Sequence, residues 1–144
     1  MARTDFKLAH PLRVRWAEVD PQSIVFNAHY LAYFDVGVTE YWRAIGCVYP
    51  EGFESMGIDS FAVKATLEYH ASARYDDMLE LCTRVSKLGR TSMRVAFEIH
   101  RGSDHLVTGE LIYVIADLKT RKPVPIPDAL KAKILGYEIT PPEQ

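Results

Sequence analysis

Between Tyr30 and Ile45 the residues Tyr30, Tyr33, Phe34, Gly37, Val38, Tyr41, Trp42 and Ile45 step by three and four without a miss. That spacing makes one wide apolar face of an α-helix, and Gly46 supplies a residue suited to ending it. The other side carries Asp35, Thr39, Glu40 and Arg43. Aromatic rings crowded on one face need a large apolar surface around them, and a sheet is the obvious candidate.

The rest of the chain reads as that sheet. Upstream, Leu12, Val14 and Trp16 alternate with Arg13 and Arg15, the period-two pattern of a half-buried strand, which stops at the Asp20-Pro21 turn. After the helix, "GCVYPEGFESMGID" reads as a loop with a short turn of helix. Four strands are then expected: Phe61 to Ala71, Leu79 to Val85, Met93 to Ile99, and Leu106 to about Ala116. In the last, "LIYVIA" is apolar on both faces, as an interior strand requires. Pro123, Pro125 and Pro127 exclude a central strand beyond it. Asp128 is placed to cap a short helix through Leu135. Hairpin-length connections imply antiparallel neighbours, so the expected fold is α+β: one long central helix wrapped by a curved antiparallel sheet. No repeat or linker divides the chain, and residues 1–144 are expected to form one domain.

Composition removes several function classes. A formal net charge of −2, with both signs interspersed, gives no bias toward nucleic acid. No apolar run approaches the roughly 20 residues of a membrane span, and the N-terminus lacks a signal core. The two cysteines, Cys47 and Cys82, make neither a disulfide framework nor a metal motif, so a cytoplasmic protein with reduced thiols is expected. His10, His100 and His105 are scattered in sequence without metal-ligand spacing. No metal or cofactor is expected.

The segment "DPQSIVFNAHYLAYFD" resembles the active-site segment of the 4-hydroxybenzoyl-CoA thioesterase type of hotdog-fold acyl-CoA thioesterases. An Asp after the first strand, a turn leading to "IV", and a helix opening at a Tyr and continuing "YFD" carry the likeness. It extends to the four strands, the "KLGRTS" turn and "TRKPVPIP". This sequence departs from the family pattern at Ser23, where glycine is usual, at Val38, where many members have Arg, and at Asn27, where some have His.

The resemblance implies hydrolysis of an acyl-CoA thioester to a carboxylic acid and free CoA. It assigns Asp20 as nucleophile or as general base on a water; read from the turn alone, Asp20 does no more than start an Asp-Pro turn. A helix N-terminus presents unbonded amides at the positive end of its dipole, so the amides of Asn27 and Ala28 are the expected oxyanion donors. Glu68 is a backup carboxylate. His29 and His70 are expected at the surface or an interface. Lys87, Arg90, Thr91 and Ser92 in "KLGRTSMR" suit the phosphates of coenzyme A. Hotdog sites form across a two-fold axis, so a homodimer or homotetramer is implied. The competing readings are a hotdog dehydratase or hydratase and a non-catalytic binder of acyl-CoA or acyl-carrier protein.

Overall fold

The structure, a computed structural model, describes residues 1–144. The elements are β1 (Leu8–Arg13), α1 (His29–Ala44), α2 (Glu51–Glu54), β2 (Ile58–Tyr69), β3 (Met78–Leu88), β4 (Ser92–Arg101), β5 (Asp104–Asp117) and α3 (Asp128–Tyr137). The strands form one antiparallel sheet in the order β1-β3-β4-β5-β2. It wraps α1, which packs mainly on β3 and also touches β1 and β4.

The apolar stripe of α1 is the buried one: Tyr30, Tyr33, Phe34, Gly37, Val38, Tyr41 and Trp42. It meets Leu79, Leu81 and Val85 of β3, Met93, Val95, Phe97 and Ile99 of β4, and Leu111 and Ile115 of β5 in one core. Each large side chain so buried contributes about 1.5–3 kcal/mol. Gly46, at φ +78°, ends the helix in the left-handed region that favours glycine. The outer face of the sheet is also partly covered. Phe6 lies against Cys82 and Ala96, and the C-terminal tail hydrogen-bonds to β3 through Glu143 and Leu88.

Three expectations change. The first strand ends at Arg13; Val14 is buried beyond it, but Trp16 sits in a 3₁₀ turn (Trp16–Glu18) and is 81% exposed. The alternation of β2 is broken by a bulge between Ala62 and Lys64, which leaves Val63 60% exposed. Asp128 is the first residue of α3 rather than its cap; Pro127 holds the cap position without a side-chain bond. No helix is long and apolar enough to cross a membrane.

Candidate active site

Asp20 is held by a small hairpin closed by the Val19–Val25 bridge. Its N–H donates to the Ile24 carbonyl at 2.9 Å, and its carbonyl accepts from the Ser23 N–H at 2.9 Å. Its Oδ1 accepts the Gln22 N–H at 2.8 Å, the Asx geometry that stabilises such turns. The tightness falls on Ser23, at φ +64°, where a glycine carries no Cβ penalty. Ser23→Gly is therefore expected to keep full activity. Relief of left-handed strain, about 1–2 kcal/mol, is largely offset by the greater chain entropy of glycine, about 0.5–1 kcal/mol. A thermal melt should show an unchanged or slightly raised midpoint, and a clear fall would mean that the hydroxyl holds the turn.

Below the hairpin lies a buried carboxylate, Glu18, 5% exposed. It accepts the Arg15 N–H at 2.8 Å, Arg15 Nε and Nη2 at 3.0 and 2.7 Å, and the Tyr33 hydroxyl at 2.9 Å. Burial pushes its pKa up, but the Arg15 amide, the guanidinium and the Tyr33 hydroxyl more than offset this and hold it below the ordinary glutamate value. Burial and the Glu18 carboxylate raise the Tyr33 phenol in turn. The Glu18 carbonyl also accepts the Phe26 N–H at 3.0 Å. One residue thus ties the strand exit, the Asp20 hairpin and the start of α1 together.

The helix opens without a side-chain cap. Ala28 is the cap residue, already helical at φ −68°, ψ −22°. The His29 N–H donates to the Phe26 carbonyl at 2.8 Å, whereas the amides of Asn27 and Ala28 donate to no group in the chain. The Asn27 carbonyl accepts the Tyr69 hydroxyl at 3.2 Å, and the Tyr30 hydroxyl accepts the Ala73 N–H at 3.0 Å. These two phenols fix the end of β2 beside the helix start.

Asp20 and Asn27 line one cleft of about 280 Å³, with Tyr30, Tyr69 and His70 in its wall. Ala28 faces an adjoining groove of about 630 Å³ between α1 and β2, lined among others by Leu31, Ala32, Val63 and Leu111. The helix start therefore stands between a polar cleft with a carboxylate and a mostly apolar groove. Asp35 also lines the groove, beside Tyr113. Burial, with a contribution from the Asp35 carboxylate, raises the Tyr113 phenol.

The structure separates the remaining candidates. Lys87 and Ser92 line a cavity of about 140 Å³ whose wall excludes Arg90 and Thr91. Along the ladder, Ser92 pairs with Val114, while Val107 pairs with both Ile99 and Tyr69. Seven residues at about 3.3 Å each put the basic turn roughly 23 Å from the Asp20 end of the same chain. Glu68 lines a cavity with Met1, Phe6 and Glu98, away from the Asp20 cleft, so it is no substitute for Asp20. His100 and His105, five positions apart in sequence, pair directly across the β4–β5 hairpin and meet Glu98. Sequence reasoning missed Glu18, Asp35 and His70 as site neighbours. The carboxylate two residues before Asp20 and the "YFD" run were the available signals for the first two.

This combination of wrapped helix, antiparallel sheet and carboxylate beside open helix amides defines a hotdog-fold thioesterase architecture. The chain belongs to the Thioesterase-like superfamily, whose family model matches residues 14–134. It is 29% identical over 129 residues to acyl-CoA thioester hydrolase YbgC of Escherichia coli, covering 85% of this chain and 92% of that protein. To acyl-CoA thioesterase YbgC of Haemophilus influenzae it is 28% identical over 129 residues, covering 89% and 94%. The crystal structure of DHNA-CoA thioesterase from Staphylococcus aureus shares the fold at a TM-score of 0.79 and 24% identity, covering 87% of each chain.

Proposed function

We propose that the protein hydrolyses acyl-CoA thioesters, with Asp20 as nucleophile or general base and the amides of Asn27 and Ala28 as oxyanion donors. The observation that carries this reading is the pair of unbonded amides at the start of α1, beside the Asp20 cleft. In the base route, Asp20 takes a proton from water as its oxygen attacks the carbonyl. In the nucleophilic route, Asp20 attacks the carbonyl and expels the CoA thiolate, and water then cleaves the mixed anhydride to restore the carboxylate. Either route ends in carboxylic acid and free thiol. A single oxyanion donor is worth about 10²–10³ in rate. The acyl group fits the groove beside Ala28, where the Asp35 carboxylate favours acyl groups that present a hydroxyl. Both cysteines are free and buried, which supports a cytoplasmic setting. Thiol release from a panel of short, long, aromatic and hydroxylated aromatic acyl-CoAs, the 4-hydroxybenzoyl thioester among them, tests the reading. No release from any member, with binding retained, would leave an acyl-CoA binding module; hydration of an enoyl-CoA would indicate a hydratase.

The active unit of this proposal is a homodimer or a homotetramer. The twelve-residue strand β2 forms one edge of the sheet, and a long uncovered edge invites pairing. Two copies of β2 paired antiparallel would set the basic turn of one chain at the Asp20 end of the other, closing the separation within a single chain. Sedimentation at micromolar concentration should show no species near 16.4 kDa; a clean monomer would contradict the two-chain site.

Lys87 and Arg90, with the hydroxyls of Thr91 and Ser92, are the proposed CoA phosphate contacts. Lys87→Ala with Arg90→Ala should raise KM for acyl-CoA several-fold with little change in kcat, because remote phosphate pairing is uniform binding. Each exposed contact is worth about 0.5–1.5 kcal/mol. Thioesters of a truncated thiol lacking the nucleotide should be unaffected. Equal losses on both substrates would instead indicate a damaged turn.

A further inference from the structure

The outer face of the sheet carries a second cluster that the thioesterase chemistry leaves unused. Glu98 and His100 point outward from β4, and His105 from the start of β5. Glu98 is 4% and His100 7% exposed. One carboxylate oxygen, Glu98 Oε1, lies 2.9 Å from His100 Nε2 and 3.9 Å from His105 Nε2. The three candidate donor atoms all fall within 4.8 Å of one another. The two imidazoles stack with centroids 4.6 Å apart and planes at 23°, so their Nε2 edges converge on the same oxygen.

We propose that Glu98, His100 and His105 bind one divalent transition-metal ion of the zinc class. Two imidazoles and a carboxylate are a donor set that zinc favours. Metal–ligand bonds of about 2.0–2.2 Å place tetrahedral donors about 3.3–3.6 Å apart, between the 2.9 and 3.9 Å that separate Glu98 Oε1 from the two imidazoles. The charge argument runs the same way. Glu98 has no Lys or Arg partner; its ion-pair neighbours are the two histidines alone. The nearby guanidinium of Arg101 is taken by Asp77 and Asp104, and that of Arg3 by Glu80. A carboxylate withdrawn from water needs a compensating cation.

Further oxygens lie beside the proposed ligand atom of His105. His105 Nε2 lies 3.0 Å from the Val107 carbonyl and 3.0 Å from Thr108 Oγ1. Since the carbonyl only accepts, an Nε2–H donates to Val107 in the metal-free protein, and ligation through Nε2 would move that hydrogen to Nδ1 and replace this bond. Thr108 Oγ1 also lies 2.9 Å from His70 Nε2, and the His70 and His105 rings are 4.9 Å apart. The three protein ligands leave a fourth position for water. Because the ligands span both strands of the β4–β5 hairpin, the ion would clamp the turn at Gly102 and Ser103.

Calorimetric titration of untagged, chelator-treated protein with zinc chloride should show one ion per chain at low-micromolar affinity or better. At a hundredfold excess of free zinc over Kd, the melting temperature should rise by about 5–10 °C. Cobalt(II) should give the visible absorption of a tetrahedral site. Glu98→Gln and His105→Ala should each weaken zinc binding at least about tenfold, whereas His10→Ala should leave it unchanged. Circular dichroism of the metal-free variants separates lost ligation from lost fold, and His105 sits partly exposed where truncation is tolerated. Absence of saturable zinc binding and of a cobalt band in the wild type, or wild-type affinity in both ligand variants, would overturn the proposal.

Discussion

Asp20→Asn is expected to lower kcat/KM for acyl-CoA hydrolysis by about 10³-fold or more, with fold and assembly unchanged. The asparagine keeps an oxygen to accept the Gln22 N–H, the bond that Oδ1 makes now. The backbone bonds of the hairpin to Ile24 and Ser23 do not involve the side chain. Only the charge goes. A general base contributes about 10²–10⁴ in rate, and a lost nucleophile costs at least as much, so a residual rate from oxyanion stabilisation alone should remain. Steady-state thiol release on the best substrate of the acyl panel, beside a thermal melt and a sedimentation profile, reads all of this. A properly folded Asp20→Asn protein turning over near the wild-type rate would sink the mechanism and return Asp20 to the role of a turn residue.

What could be read from the chain, and what could not, follows from the range of the interactions involved. The α1 face was legible because a run from Tyr30 to Ile45 obeys one period, and the structure buries that stripe. The inner faces of β3 and β4 were legible for the same reason. The first strand was overextended to Trp16, because alternation alone cannot show that Glu18 pulls the backbone into a 3₁₀ turn through Arg15 and Tyr33. Period two also failed on β2, where the bulge at Ala62–Lys64 moves Val63 out of phase. Pairing between strands was the larger blind spot. Nothing in the spacing of Glu98, His100 and His105 announces that a hairpin bulge will set His100 opposite His105. Likewise the distance between "KLGRTS" and Asp20 is a property of strand order. The proposed dimer would shorten it.

The largest expected loss of stability comes from a single methyl group. Gly109 of β5 pairs with Phe97 of β4, and the Phe34 ring from α1 stacks on Phe97 at 4.4 Å with planes 9° apart. A Cβ at Gly109 would overlap Cε2 and Cζ of Phe34, and Cδ2 would stand 3.3 Å away. Phe34 is fully buried, with Phe97 blocking a slide along the sheet. The ring or the whole helix must move. The helix has little freedom of its own, since a Cβ at Gly37 would come 2.5 Å from Thr83 Oγ1 one turn further on. Overpacking of this kind usually costs about 1–3 kcal/mol. With backbone on one side and a stacked ring on the other, Gly109→Ala should reach the upper end, lowering the melting temperature by roughly 10 °C. Lifting α1 also shifts the amides of Asn27 and Ala28 away from the Asp20 cleft, so activity should fall further than the folded fraction accounts for. Phe34→Leu added to Gly109→Ala makes room for the methyl. The double variant should therefore be more stable than the sum of the single changes predicts, a coupling of about 1 kcal/mol or more between neighbours. A Gly109→Ala protein melting within a degree or two of wild type would show that α1 is not seated on the sheet through Phe34.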